Sequence, residues 1–172
     1  MRSSGVLLAA VLIAPLAAQP FKFDMAPLEA RASEKLNISL NHSTLQFAAK
    51  FLDGEDPEDV QVKKVLEGID SIDIRTFESK TAGAWTAADL DKVRNRLRAP
   101  EWSRMVGYKG TDEGETAEVY VREVNKKVAG VVILDAEPKA LTVVSIAGTV
   151  NLDSLGELSG HFGVPKVERK RK

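Results

Sequence analysis

Two histidines, His42 and His161, have the widest chemical reach of any side chains in this 172-residue chain. Imidazole titrates near neutral pH, so either could act as a general base or a metal ligand. Ser43 stands beside His42, and a hydrolase would use it as the nucleophile. The local pattern argues against that reading. No Gly-x-Ser-x-Gly elbow surrounds Ser43, and adjacent residues point in different directions on most backbones. Ser43 has a sufficient task at a helix start, and His161 suits the negative end of a helix dipole. No catalytic residue is assigned.

The acidic groups read as structural for similar reasons. Asp112, Glu113 and Glu115 cluster around Gly110 and Gly114, but without the spacing of a twelve-residue calcium loop. A solvated hairpin loop is the simpler account. Asp53, Glu55, Asp56, Glu58 and Asp59 precede a helix, where carboxylates meet the positive dipole end. The sequence has no cysteine, no His-Glu-x-x-His pair and no glycine-rich phosphate loop. Neither a metal nor a cofactor is expected. Trp85 precedes Thr86 and Leu90 in the spacing of a hydrophobic staple, and Trp102 opens a strand as a core anchor. Asn37-Ile38-Ser39 and Asn41-His42-Ser43 match the glycosylation tripeptide, but in or beside a strand and with meaning only in a eukaryotic host.

The elements that would position these groups follow from periodicity and punctuation. Asp24 caps a helix over 26–33, and Leu36, Ile38 and Leu40 alternate with polar residues as a half-buried strand. Ser43 and Gln46 form a capping-box pattern for a helix ended by Gly54. Asp56-Pro57 starts another helix, which stops at Gly68. Residues 69–77 read as a strand, and Thr86 with Asp89 caps a helix closed by Pro100. Four β-rich runs follow, over 102–109, 117–123, 128–136 and 141–147, with short turn-rich links that require antiparallel pairing. Residues 128–134 are apolar on both faces and should form a central strand covered twice. Asn151 caps a last helix through Leu152, Leu155, Leu158 and Phe162. The fold class is α+β: a single two-layer domain over 19–165, mainly antiparallel, with a C-terminal four-strand meander and helices packed largely on one face.

Residues 1–18 are a signal peptide by pattern: Arg2, then the apolar run GVLLAAVLIAPLAA over 5–18, then Gln19-Pro20. Fourteen apolar residues in a helix span about 21 Å, short of the roughly 30 Å hydrocarbon core. The expected product is exported, periplasmic or secreted, and without a cysteine it has no lipoprotein anchor.

Charge is unevenly placed. The whole chain is −1, and without residues 1–18 it keeps 23 basic and 25 acidic side chains, a net −2. Residues 166–172 hold Lys166, Arg169, Lys170, Arg171 and Lys172 against Glu168, so the body before them sits near −6. An acidic body argues against nucleic acid as a partner. The tail is the one interaction segment the composition offers. Weak contact with an anionic membrane surface would gain about 1 kcal/mol per cation; folding onto the acidic body or remaining solvated are the alternatives. The partner class left is an envelope protein or a small ligand.

Several stretches carry a family likeness together: LQFAAKFL over 45–52, IDSIDIRTF over 69–77, WSRMV over 102–106, EVYV over 118–121, EPKALTVV over 137–144 and GHFGVP over 160–165. In this order they resemble a bacterial family of exported proteins known only as domain of unknown function 4252, from about Ala26 to Pro165. The resemblance implies a bacterial extracytoplasmic domain and ranks envelope stress or signalling first among roles. It supplies no activity and no site residues. A non-enzymatic interaction domain is the leading reading, a small-molecule or lipid binder the second, and a hydrolase using His42 or His161 the third.

Overall fold

The computed structural model describes residues 21–111 and 115–149. The leader over 1–18, the helix expected over 151–163 and the basic tail lie outside them. The elements run α1 (Ala26–Glu29), β1 (Glu34–Asn41), α2 (His42–Ala49), α3 (Pro57–Glu67), β2 (Ile69–Glu78), α4 (Ala87–Arg96), β3 (Trp102–Lys109), β4 (Thr116–Val124), β5 (Lys127–Ala136) and β6 (Ala140–Gly148). All six strands belong to one antiparallel sheet, in the order β1-β2-β6-β5-β4-β3. The expected meander is β3 to β6, and β2 adds to it on the β6 side.

Register sorts the side chains into rows that cross the sheet. Ile38, Ile74, Val144, Ile133, Val119 and Val106 face one way in a row, as do Leu40, Ile72, Ile146, Val131, Val121 and Ser103. Leu45 and Ala49 of α2, with Val62, Val65 and Leu66 of α3, join that face in one apolar cluster. The opposite face gathers Phe77, Tyr120, Val132, Leu134, Leu141 and Val143 under Leu28 of α1 and Leu90, Val93 and Leu97 beside α4. The helices are therefore not gathered on one face, as the sequence suggested, but divided between both. The cause lies in β5 and β6, where Val131-Val132 and Val143-Val144 are apolar at successive positions and buried on both sides.

Local expectations hold where a side chain could be matched to a backbone donor. Thr86 and Asp89 form the full capping box of α4, with Trp85 and Leu90 buried in one cluster as the staple requires. Asp56 caps α3 through Glu58 N at 2.8 Å. Two caps differ. Asn41, not Ser43, caps α2 by accepting from Thr44 N at 2.9 Å, because β1 runs straight into the helix at His42. Gln46 instead donates to the Leu66 carbonyl at 3.2 Å and ties α2 to α3. The first helix is one turn rather than two, since Ser33 N already reaches Glu78 O at 2.8 Å and draws the chain into β1.

The β4–β5 turn stores strain. Val124 pairs with Lys127, so Asn125 and Lys126 are the two loop residues, with φ of 52° and 62°. That is the backbone of a type I′ turn, which suits asparagine first and glycine second. Lys126→Gly is expected to raise stability by about 0.5–1 kcal/mol. A lowered urea midpoint in the variant would contradict that assignment.

Asp89 links the α4 cap to the N-terminal region. Its Oδ2 accepts from Thr86 N at 3.0 Å and Thr86 Oγ1 at 2.7 Å, and pairs with Arg31 at 2.8 Å. Burial alone would raise its carboxyl; the bonds from Thr86 and Arg31 outweigh that and hold it down at about 2. The folded value lies below the unfolded one, so ionised Asp89 contributes stability above about pH 4. That contribution, about 2 kcal/mol, is lost as pH falls toward 2. Asp89→Asn should therefore trail the parent by a gap that closes between pH 5 and pH 2 in urea titrations. A gap independent of pH would rule the linkage out.

Candidate binding face

The face that carries α1 and α4 is not uniformly apolar. At one end its row runs Lys35, Phe77, Leu141, Ala136, Thr116 and Lys109; toward the other end Ser39, Asp73 and Ser145 stand side by side on β1, β2 and β6. The last row is Asn41, Ser71, Ala147, Gly130, Arg122 and Trp102. Strand alternation makes this placement automatic: Ile72 and Ile74 fill the first face, so Asp73 and Arg75 must take the second. Among the described residues, a strap over 21–25, outside any helix or strand, lies beside this polar end, with Phe21, Phe23 and Met25 packed against the apolar cluster.

Two clefts flank that strap. The smaller, about 360 Å³, lies over Asp73, Arg75, Val143 and Ser145, with Lys22 and Phe23 on the strap side. Ser39 Oγ donates to Asp73 Oδ1 at 2.6 Å, and Arg75 reaches Ser39 Oγ at 3.4 Å. Ser145 is 5% exposed and its hydroxyl has no partner. A buried hydroxyl without a partner costs free energy, so it marks a position that an occupant could satisfy.

The larger cleft, about 830 Å³, opens between the strap, the end of α4 and the start of β3. Trp102 forms part of its wall, with Phe21 edge-on at 5.9 Å between ring centroids. The Arg122 guanidinium lies 6.0 Å from the Trp102 ring centroid. Gly130 lies beneath the indole, and a Cβ there would meet its Cη2 at 3.6 Å, an ordinary contact. Trp102 is thus half-buried, packed against the apolar cluster rather than within it, and also faces the cleft.

Between α4 and β4 lies a closed polar network. Arg94 Nη2 donates to Glu118 Oε1 at 2.6 Å, and Tyr120 Oη donates to Glu118 Oε2 at 2.5 Å. Burial would raise the Glu118 carboxyl, but the hydrogen bonds from Arg94 and Tyr120 hold it below the usual range. Burial and that same carboxylate push the Tyr120 hydroxyl up to about 12. These groups are spent on one another and pin α4 to the sheet.

The residues singled out by type fall elsewhere. His42 sits at the first turn of α2, its Nδ1 2.8 Å from the Ile69 carbonyl oxygen, and Ser43 beside it is exposed. Asp53, Asp56 and Asp59 accept backbone N–H groups of Glu55, Glu58 and Asp53, which is the structural reading of that cluster. Among the described residues, no group of three or more histidines or carboxylates could hold a metal ion. His161, Asp112, Glu113 and the tail residues Lys166, Arg169, Lys170, Arg171 and Lys172 lie outside the described residues. The polar face itself was not singled out from sequence. The signal was present in the alternation of Asp73 and Arg75 with Ile72 and Ile74.

No curated protein and no solved structure matches the chain. One family model does, over residues 30–158, well over half of the sequence. By that match the chain belongs to the family described as a domain of unknown function, DUF4252.

Proposed function

We propose that this chain is a non-enzymatic binding domain, exported to the periplasm, that receives its partner on the sheet end beside residues 21–25. The observation that carries the reading is the pair of clefts beside that strap, where polar and cationic side chains from three strands and α4 converge. Pockets that bind small molecules have this build, a mostly preformed hollow with a few placed polar groups. Export rests on the order of charge, apolar run and small residues over 1–18. A role in envelope stress or signalling fits both.

Cleft size favours a small molecule or lipid headgroup as occupant over a flat protein surface. The larger hollow, about 830 Å³, matches the range of ligand pockets.

Both halves can be tested in cells. Intact mass of the periplasmic product should show loss of the leader; a full-length cytosolic product would remove the export half. A photo-crosslinking residue at position 22, on the strap, should yield adducts that the same residue at position 35, on exposed β1, does not. Equal adducts at both positions, or adducts at 35 alone, would place the partner elsewhere.

A further inference from the structure

We infer that the larger cleft binds a phosphate-bearing small molecule, with Arg122 as the anchoring cation. The inference rests on the binding reading above and names the ligand chemistry of the same face.

Charge is the first ground. Lys22, Arg96, Arg98 and Arg122 line this cleft against one carboxylate, Glu101. The body of the protein before the tail is near −6, so the cleft runs against the average sign of the molecule. Among the described residues none of the four cations is ion-paired. Clustered cations in a hollow concentrate field lines and raise the local population of anions.

Arg122 is the second. Its Nε is buried without a partner, and its Nη2 reaches only the Ala129 carbonyl at 3.4 Å. Its guanidinium carbon lies over the Trp102 ring at 6.0 Å, the outer range of a cation–π contact, which leaves donors unspent. A guanidinium fork is the donor geometry that suits planar carboxylate or phosphate oxygens. Several cations around one hollow match the double charge of a phosphate monoester better than the single charge of a carboxylate. Phe21 and Trp102 add an apolar wall for the remainder of the molecule, and Asn95 a neutral amide.

A soluble phosphomonoester and a phospholipid headgroup share this chemistry. The test uses the full mature chain, with inorganic phosphate and phenyl phosphate as soluble probes and vesicles of phosphatidylcholine with or without phosphatidic acid. Calorimetry at low salt should show phenyl phosphate binding more tightly than inorganic phosphate, with affinity falling as salt rises. Arg122→Gln should weaken it by about tenfold or more, the loss of one charge-assisted contact. The exposed pair Arg96→Ala/Arg98→Ala should weaken it as well, and it keeps the test alive if Arg122→Gln fails to fold. Lys63→Gln on α3, across the sheet, should change nothing. Binding confined to phosphatidic acid vesicles, lost in the same variants, would assign the headgroup as the source and support the inference. No binding of any probe at low salt, or binding indifferent to both variants, would overturn it. Strap crosslinks at position 22 that persist in that case would leave the broader binding reading standing.

Discussion

Arg94→Leu is expected to cost the domain about 3–5 kcal/mol, because it strands a buried carboxylate without its cation. The Glu118 side chain is 6% exposed and that of Arg94 20%. Arg94 places both Nε and Nη2 on Glu118, at 3.0 and 2.6 Å to Oε1, and Nη1 on Asp91 at 3.0 Å. Removing both charges should be far milder than removing one. Arg94→Leu/Glu118→Leu is expected to recover most of the loss, since no ion remains to desolvate, though the Tyr120 hydroxyl loses its acceptor. Acid should act in the same sense as the single variant. The Glu118 carboxyl is held below its ordinary value, so its contribution is full above the unfolded glutamate range and fades as pH falls through the folded value. Urea titrations of the parent, the single and the double variant decide the matter. A single variant within 1 kcal/mol of the parent, or a double variant no better than the single, would mean that the pair is not desolvated.

What the sequence made legible is what local chemistry decides. The capping box at Thr86 and Asp89, the Asp56-Pro57 start and the β3–β6 meander each follow from short-range rules, and each stands in the structure. The pairing of β2 with β6 joins strands whose partners lie some 70 residues apart, and no turn residue signals it. The division of helices between two faces depended on that pairing. With β2 inserted beside β6, Phe77 meets Leu141 on one face and Ile74 meets Val144 on the other, so both faces needed cover.

The binding face was hidden for a related reason. Residues 21–25 offer the Asp24 cap but no periodicity and no strand pairing, so nothing local marks where they lie. Their place beside Asp73, Arg75 and Ser145 is a tertiary fact. The histidines drew attention by type alone, yet His42 proved to hold the Ile69 carbonyl at the α3–β2 junction. Arginine number said little, because 24 basic residues are unremarkable in a chain of this length. Convergence of Lys22, Arg96, Arg98 and Arg122 on one hollow comes only with the fold, since they sit on the strap, near the end of α4 and on β4.

That same α3–β2 junction sets the second large effect. Gly148→Ala is expected to cost about 3–5 kcal/mol, from backbone strain and overpacking together. Gly148 has φ of +130°, a region that side chains rarely enter. A Cβ there would lie 2.7 Å from Asp70 N and 2.8 Å from Ile69 Cα, and closer still to the Gly68 carbonyl oxygen. All three are backbone atoms, so no side-chain rotation relieves the clash. Gly68 is the other half of the contact: its φ of −88° is ordinary, and glycine is needed because the Thr149 carbonyl oxygen occupies the space a Cβ would take. The helix does stop at Gly68, as the sequence indicated, and the Thr149 contact adds a second reason for glycine there. The irregular register between Ile69 and Ser71 is where β2 accommodates this approach. Gly54 supplies the control, since nothing lies within 4 Å of a Cβ built there. Gly54→Ala should leave the urea midpoint nearly unchanged while Gly148→Ala lowers it steeply, with Gly68→Ala between at about 1–3 kcal/mol. Equal midpoints for the three alanine variants would mean that β6 does not close against the end of α3.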